Sequence, residues 1–305
     1  MQINLFCGLS VHRGEQPPLR HFQTYKTGAL LAYLAFYGQQ AHPRELLVNL
    51  LWPDADPASG RNRLTQALVW LRPRLEATES ERGTILISDR QSLRLQTSGV
   101  ETDVRLFEDA LRAADSKLGP AVQIEALRRA VDLYRGELLT GYYEDWVLTE
   151  RQRLFEQFLL ALRRLVALYE QTEAFDRALD CARRALVADP VSEEIHCALI
   201  RLLALTGQPA AGLRQYREME QILQRELDEE PSAAARTLAE QIRRSEPQLV
   251  RLQPGLWTAP QKLPAPLTRF FGRSDEIQQV RGLMEGGQVR LLSLIGTGGC
   301  GKTRL

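Results

Sequence analysis

Two stretches of this chain repeat one another at a fixed interval. Residues 162–194 register on residues 196–228 with a 34-residue period, so that Leu165 falls on Leu199, Leu168 on Leu202, Ala178 on Gly212 and Leu179 on Leu213. A period of this length builds one pair of antiparallel helices per unit, and each unit hides its apolar face only by stacking on its neighbours. Phe175-Asp176-Arg177-Ala178-Leu179 and Pro209-Ala210-Ala211-Gly212-Leu213 open the second helix of each pair. Two units are too few for a self-sufficient stack, so Val104–Arg135 and Tyr143–Tyr169 are expected to supply adjoining helices. Residues 103–245 read as helix almost throughout, with few glycines or prolines.

The flanks differ in texture. Strand candidates lie at Ile3–Phe6, Ser10–His12 and Leu19–Phe22, followed by a helix over Lys26–Tyr37. Pro43 suits a first helical position ahead of Arg44–Trp52, and Pro53-Asp54-Ala55-Asp56-Pro57 forms a turn. A third helix is predicted over residues 58–75, with Ser59 as candidate cap. Ile85–Ile87 and Leu93–Leu95 then bracket Ser88-Asp89-Arg90-Gln91-Ser92 as a hairpin. Strands, three helices and a hairpin, in that order, predict a winged helix-turn-helix.

The third helix carries the chemistry. Leu64, Leu68, Leu71 and Leu75 recur at helical spacing and mark its buried stripe, so Asn62, Gln66 and Val69 point the other way. Arg63, Trp70 and Arg74 flank that outward face on one side, and Arg61, Thr65 and Arg72 on the other. Amides bond adenine edges in the major groove, and arginines grip guanine or phosphates. Acid is confined to the end of the helix, at Glu76. A solvated arginine-rich face on a core helix gives the same pattern, and the surrounding strands and hairpin favour the DNA reading. Pro73 lacks an N–H and crowds the Val69 carbonyl, so a kink or an early end is expected there, which weakens Arg74 as a contact. Trp70 is expected to pack rather than to read DNA.

The formal net charge of +1 conceals a division. Residues 1–100 carry 11 basic and 8 acidic groups, residues 101–246 carry 20 and 27, and residues 247–305 carry 8 and 3. The acidic middle disfavours direct DNA contact there, because phosphates would be repelled. It suits a protein-contact surface or a spacer bundle with a solvated face. No apolar run approaches the ~20 residues that span a bilayer, and the N-terminus has no signal-peptide pattern, so a reduced, cytoplasmic protein without membrane contact is expected. Cys7, Cys181, Cys197 and Cys300 form no Cys-x-x-Cys pair, and the four histidines show no ligand spacing. Cys181 and Cys197 read as small apolar residues.

Beyond the helical region, Pro247, Pro254, Pro260, Pro264 and Pro266 mark residues 247–268 as a linker. Residues 269–305 begin a further domain, in which the strand Val289–Ile295 runs into Gly296-Thr297-Gly298-Gly299-Cys300-Gly301-Lys302-Thr303. This satisfies the P-loop pattern completely. Backbone amides around Gly296, Gly298, Gly299 and Gly301 would curl about phosphate oxygens. Lys302 would neutralise the β/γ charge, and Thr303 would bind Mg²⁺. The sequence ends at Leu305, before any Walker B acid, so ATP and Mg²⁺ are implied by the motif but not expected to bind within these residues. No catalysis is expected here. The chain reads as the N-terminal part of a longer ATP-binding regulator.

Residues 1–100 resemble the OmpR/PhoB-type winged helix at the head of the Streptomyces antibiotic regulatory proteins, which carry a bacterial transcriptional activator domain. The likeness rests on Leu30-Leu31-Ala32-Tyr33-Leu34-Ala35, Leu50-Leu51-Trp52-Pro53-Asp54, Ala58-Ser59-Gly60-Arg61-Asn62-Arg63-Leu64 and Leu71-Arg72. Residues 101–246 resemble the tetratricopeptide-like all-helical activator domain of the same family, with Asp103-Val104-Arg105-Leu106-Phe107 and Gly136-Glu137-Leu138-Leu139 as landmarks. Residues 263–273 resemble the lead-in to the signal-transduction ATPases with numerous domains. Pro73, Trp70 and the hairpin's Ser92-Leu93, where the family has Gly-Tyr, depart from its pattern. The resemblance implies a mainly α protein: winged helix, helical domain, linker and the first strand of an α/β NTPase. It implies a sequence-specific transcriptional activator that places helix 58–75 in the major groove of double-stranded DNA. Arg61, Asn62, Arg63, Gln66, Trp70 and Arg74 are the candidate contacts on the helix, and Arg90 lies near the hairpin tip. The helical domain would serve self-association or signal input, and RNA polymerase is a further expected partner. The competing readings are a signal-transduction NTPase and a helical scaffold in which the winged helix is an accessory contact module.

Overall fold

The computed structural model describes residues 1–251 apart from residues 39, 77–82, 97–98 and 116–118, and side chains as far as residue 244. The proline-rich linker beyond Arg251 and the P-loop therefore lie outside the described residues. Strand β1 (Gln2–Asn4) pairs antiparallel with β2 (Ser10–His12), setting Ile3 opposite Val11. The strand expected at Leu19–Phe22 is instead a single bridge between Leu19 and Val11. Pro17 and Pro18 come immediately before it and offer no N–H to lengthen the ladder.

Helix α1 (Tyr25–Phe36) starts at Thr24, whose hydroxyl accepts from the Thr27 amide. Pro43 is not the first residue of a helix. It closes the two-residue strand β3 (His42–Pro43) and caps α2 (Arg44–Leu51), because pairing with the hairpin holds its backbone extended. Helix α3 (Pro57–Leu75) is capped by Asp56 and not by Ser59. The Asp56 carboxylate accepts from the amides of Ala58 and Ser59 at 3.1 and 3.0 Å, with Pro57 at the first helical position, where its missing donor costs nothing. Nor does Pro73 end the helix, which continues to Leu75. The acceptor it deprives is the Val69 carbonyl, at a residue on the solvent side, and less than one turn remains to be held beyond it. Strands β4 (Leu86–Ser88) and β5 (Ser92–Leu95) form the hairpin, and β3 joins it in a sheet of order β3-β5-β4.

The remainder is helical, introduced by β6 (Glu101–Thr102), which pairs parallel with β1. Helices α4 (Asp103–Ala114), α5 (Pro120–Leu133) and α6 (Asp145–Gln171) lead into α7 (Phe175–Ala188), α8 (Glu193–Leu205), α9 (Pro209–Leu227) and α10 (Ala233–Arg251). Helices α6 and α8 end, and α7 and α9 begin, at the 34-residue interval of the sequence repeat. Gly212 lets α9 close on α8: a Cβ there would stand 3.1 Å from the Ile200 carbonyl oxygen. A small second core, with Tyr216, Met219, Ala239 and Ile242, seats α10. Cys181 and Cys197 are half-buried, and burial pushes the Cys181 thiol up to about 11 and that of Cys197 in the same direction, which keeps both protonated.

The main core crosses residue 100 without a break, from Ile3, Leu30 and Leu64 to Phe107, Leu154 and Leu202, and residues 1–247 form one compact unit. The join is made largely by backbone. The buried Asp103 carboxylate accepts from the amides of Leu5 (2.8 Å), Phe6 (3.0 Å) and Val104 (2.9 Å). Burial raises the pKa of this carboxyl against the opposing pull of those amides. The Leu139 amide donates to the Leu5 carbonyl at 2.7 Å, and Arg151 holds the same loop through the carbonyls of Leu138, Leu139 and Tyr142. Trp146 of α6 packs on Tyr33 and Phe36 of α1 and on Tyr37 just after it, at ring distances of 5.3, 5.7 and 5.8 Å, and Tyr37 donates to Glu150. Asp103→Ala orphans two amides of the N-terminal segment, so it is expected to cost on the order of 3 kcal/mol in urea denaturation. The loss is expected as a shift of a single transition, because the two halves share one core.

Candidate nucleic-acid interface

Helix α3 is held at both ends and along its inner side. Gly60 touches α2 so closely that a Cβ there would lie 2.4 Å from Val48 Cγ1, which fixes the crossing of the two helices. Gly60, Leu64, Ala67, Leu68, Leu71 and Leu75 are buried. At the far end the Glu76 side chain, itself buried, accepts from the amides of Gly83, Ile85 and Leu86 at 3.0, 3.1 and 2.8 Å. The acidic residue at the C-terminal end of the helix thus turns inward and latches α3 to the hairpin. Sequence reasoning placed Glu76 at the helix end but missed this role, since its partners are backbone amides and carry no residue signature.

The outer face is open. Arg61, Asn62, Arg63, Thr65, Gln66 and Arg74 are exposed, and so is Val69, at 67%. The structure brings Asn62, Gln66 and Val69 onto one uncharged stripe with arginines along both borders. Trp70 and Arg74 are engaged locally. Trp70 packs against Phe22 at a ring distance of 6.0 Å, and the Arg74 guanidinium lies 3.9 Å over the indole while donating to the Trp70 carbonyl. Arg90 is exposed at the hairpin tip. That tip is shaped by Asp89, whose carboxylate accepts from the Gln91 and Ser92 amides at 2.7 and 2.6 Å and from the Ser92 hydroxyl at 2.8 Å. These bonds, led by the Ser92 hydroxyl, hold the Asp89 pKa below its ordinary value. Ser92 therefore does the work of a turn residue without a glycine. Arg44, at the start of α2, donates its own amide to Gln91 and its guanidinium to Ser88, tying α2 to the hairpin.

Arginine pairing divides the molecule. In the helical half Arg153 bridges Glu108 and Glu150, Arg164 meets Asp115, Arg184 meets Asp132, and Arg201 makes a two-pronged contact with Glu170. Among the described residues, no carboxylate pairs with Arg61, Arg63, Arg72 or Arg90. Unpaired arginines around an uncharged stripe can donate to phosphate oxygens while amides between them face base edges. Among the described residues there is no cluster of three His, Cys, Asp or Glu able to hold a metal ion, and no helix long and apolar enough to cross a membrane. The nucleotide ligands expected at Gly296, Gly298, Gly299, Gly301, Lys302 and Thr303 lie outside the described residues.

Residues 102–243 match the family described as Bacterial transcriptional activator domain. The chain is 29% identical over 195 residues to the regulatory protein AfsR of Streptomyces coelicolor, a match covering 59% of this chain and 20% of that protein. It thus spans only about a fifth of the curated relative it matches. Among solved structures it resembles Mycobacterium tuberculosis EmbR, with a TM-score of 0.64 and 21% identity over 80% of this chain and 65% of that one, which is a likeness of fold.

Glu76→Ala removes the acceptor of three amides at the root of the hairpin. The expected result is a loss of about 2–3 kcal/mol in global stability, with hydrogen-exchange protection falling first at Ile85 and Leu86 while α6–α9 keep theirs.

Proposed function

We propose that this chain is a sequence-specific DNA-binding transcriptional regulator of the activator type, a winged helix joined to a bacterial transcriptional activator domain. The observation that carries the reading is the α3 face: arginines without carboxylate partners among the described residues border an uncharged stripe, whereas most arginines of the helical half are ion-paired. Helix α3 enters the major groove of double-stranded DNA. Arg61 and Arg63 meet phosphates or guanine, and Asn62 and Gln66 meet base edges. Arg90 reaches the backbone or minor groove from the hairpin tip. Trp70 and Arg74 act chiefly as a packed pair that stiffens the end of the helix. The fold likeness to EmbR and the partial identity to AfsR support a regulator of this kind.

The acidic helical half serves self-association or signal input and presents a face to RNA polymerase. Such a protein works in the cytoplasm. The P-loop pattern supports a further role for Gly296–Thr303 in binding ATP with Mg²⁺ inside a larger NTPase domain, with Lys302 on the phosphates and Thr303 on the metal.

Two experiments test these assignments. Binding of the full chain to a duplex that it enriches from a random pool should weaken linearly on a log–log salt plot, at about −0.9 per neutralised phosphate. Arg61→Ala and Arg63→Ala should each lower affinity and reduce the slope by about 1, whereas Gln66→Ala should alter base preference. A flat salt response would turn the reading towards a protein-contact scaffold. For the nucleotide role, a full-length protein containing this chain should bind ATP, and Lys302→Ala should impair that binding while DNA recognition survives.

A further inference from the structure

The outward stripe of α3 holds one residue that amide or phosphate chemistry leaves without a task. Val69 is 67% exposed and belongs to neither core cluster. It gains nothing as a helix former, because branching at Cβ restricts its rotamer on a helix surface. Its position is specific. Residues 62, 66 and 69 lie within about 60° of one another around the helix, since 3.6 residues make a turn. Arginines border this stripe and none stands on it. Charge at the edges and its absence along the centre match the section of a DNA groove, where phosphates line the walls and base edges form the floor.

Resting on the major-groove reading above, we propose that Val69 is a specificity-determining residue that packs against the 5-methyl group of a thymine. That thymine lies next to the base pair addressed by Gln66. Positions 66 and 69 are about 4.5 Å apart along the helix axis, close to the ~3.4 Å spacing of successive bases. Adjacent side chains on the stripe therefore address adjacent base pairs. Thymine is the base that offers an apolar group in the major groove, and an isopropyl group has no use for the donors and acceptors of the others. Gln66 supplies the complementary amide, suited to adenine N6 and N7. The pair selects a step rich in A·T at the centre of the site, while the bordering arginines set affinity without selecting sequence.

The test uses the full chain and duplexes that it enriches from a random-sequence pool. Each thymine of the enriched site is replaced in turn by deoxyuridine, which lacks only the methyl group. One position should weaken binding about fourfold, as expected for removing one buried methyl-sized apolar group. Val69→Ala should bind the unmodified duplex about fourfold more weakly, bind the deoxyuridine duplex as the parent does, and lose its sensitivity to the methyl. Alanine is the better helix former, so the variant keeps its fold. Two results overturn the assignment while leaving the groove reading intact: no methyl-sensitive position in a duplex whose binding falls in Arg61→Ala, or a methyl sensitivity that persists in Val69→Ala. If no duplex is enriched and Arg61→Ala changes nothing, the groove reading itself fails and this assignment falls with it.

Discussion

The carboxylate of Asp103 fastens the N-terminal strand to the helical half, and much of the molecule depends on that fastening. By accepting the amides of Leu5 and Phe6 it holds the segment that follows β1, while β6 just before it extends the same sheet. The Leu139 amide then donates to the Leu5 carbonyl, and the carbonyls of Leu138 and Leu139 accept from Arg151, so the buried backbone at the join is satisfied. With β1 fixed, the end of α1 meets the start of α6 through the aromatic contacts of Trp146 with Tyr33, Phe36 and Tyr37. The α3 helix packs on α1 and α2, so its outer face is presented at an orientation set by the helical half.

Charge is arranged to the same end. In the helical half arginines and carboxylates largely neutralise one another, and pairs such as Arg201 with Glu170 and Arg153 with Glu108 run between helices as well as along them. Exposed pairs of this kind contribute little stability singly. Their larger consequence is to neutralise most of the arginines of this region. Around α3 the opposite holds. Asp56, Glu76 and Asp89 each bind backbone amides, at the cap, the latch and the hairpin tip, so their negative charge is held by the fold near arginines that remain unpaired. The net charge of +1 thus hides unlike parts: residues 1–100 carry a net +3, residues 101–246 a net −7 and residues 247–305 a net +5.

Much of this was legible in the sequence. The 34-residue period fixed where α7 and α9 begin, because apolar side chains at helical spacing declare a buried face whatever lies against it. The leucines of α3 likewise fixed which of its residues face outward, and so assembled Arg61, Asn62, Arg63, Gln66 and Val69 on one surface. Local chemistry was read less well at Ser59 and Pro73. Asp56 outcompeted Ser59 as the cap because Pro57 begins the helix one residue earlier than its apolar pattern does. Pro73 was tolerated because the carbonyl it deprives of a partner belongs to a solvent-facing residue, and exposure is a property of packing rather than of proline.

What the sequence determined alone was the period, the faces of the helices and the residue types available at the candidate interface, all of which follow from spacing along one chain. Only the tertiary structure decided how the halves are joined and which charges remain free. Asp103 and Glu76 find their partners among backbone amides, at Leu5 and Phe6 in one case and at Ile85 and Leu86 in the other. Every residue but proline carries that same donor, so no sequence pattern could single these out. Likewise an arginine is paired or free according to what stands opposite it in space. That distinction, invisible in a count of 39 basic and 38 acidic residues, is what marks the α3 face.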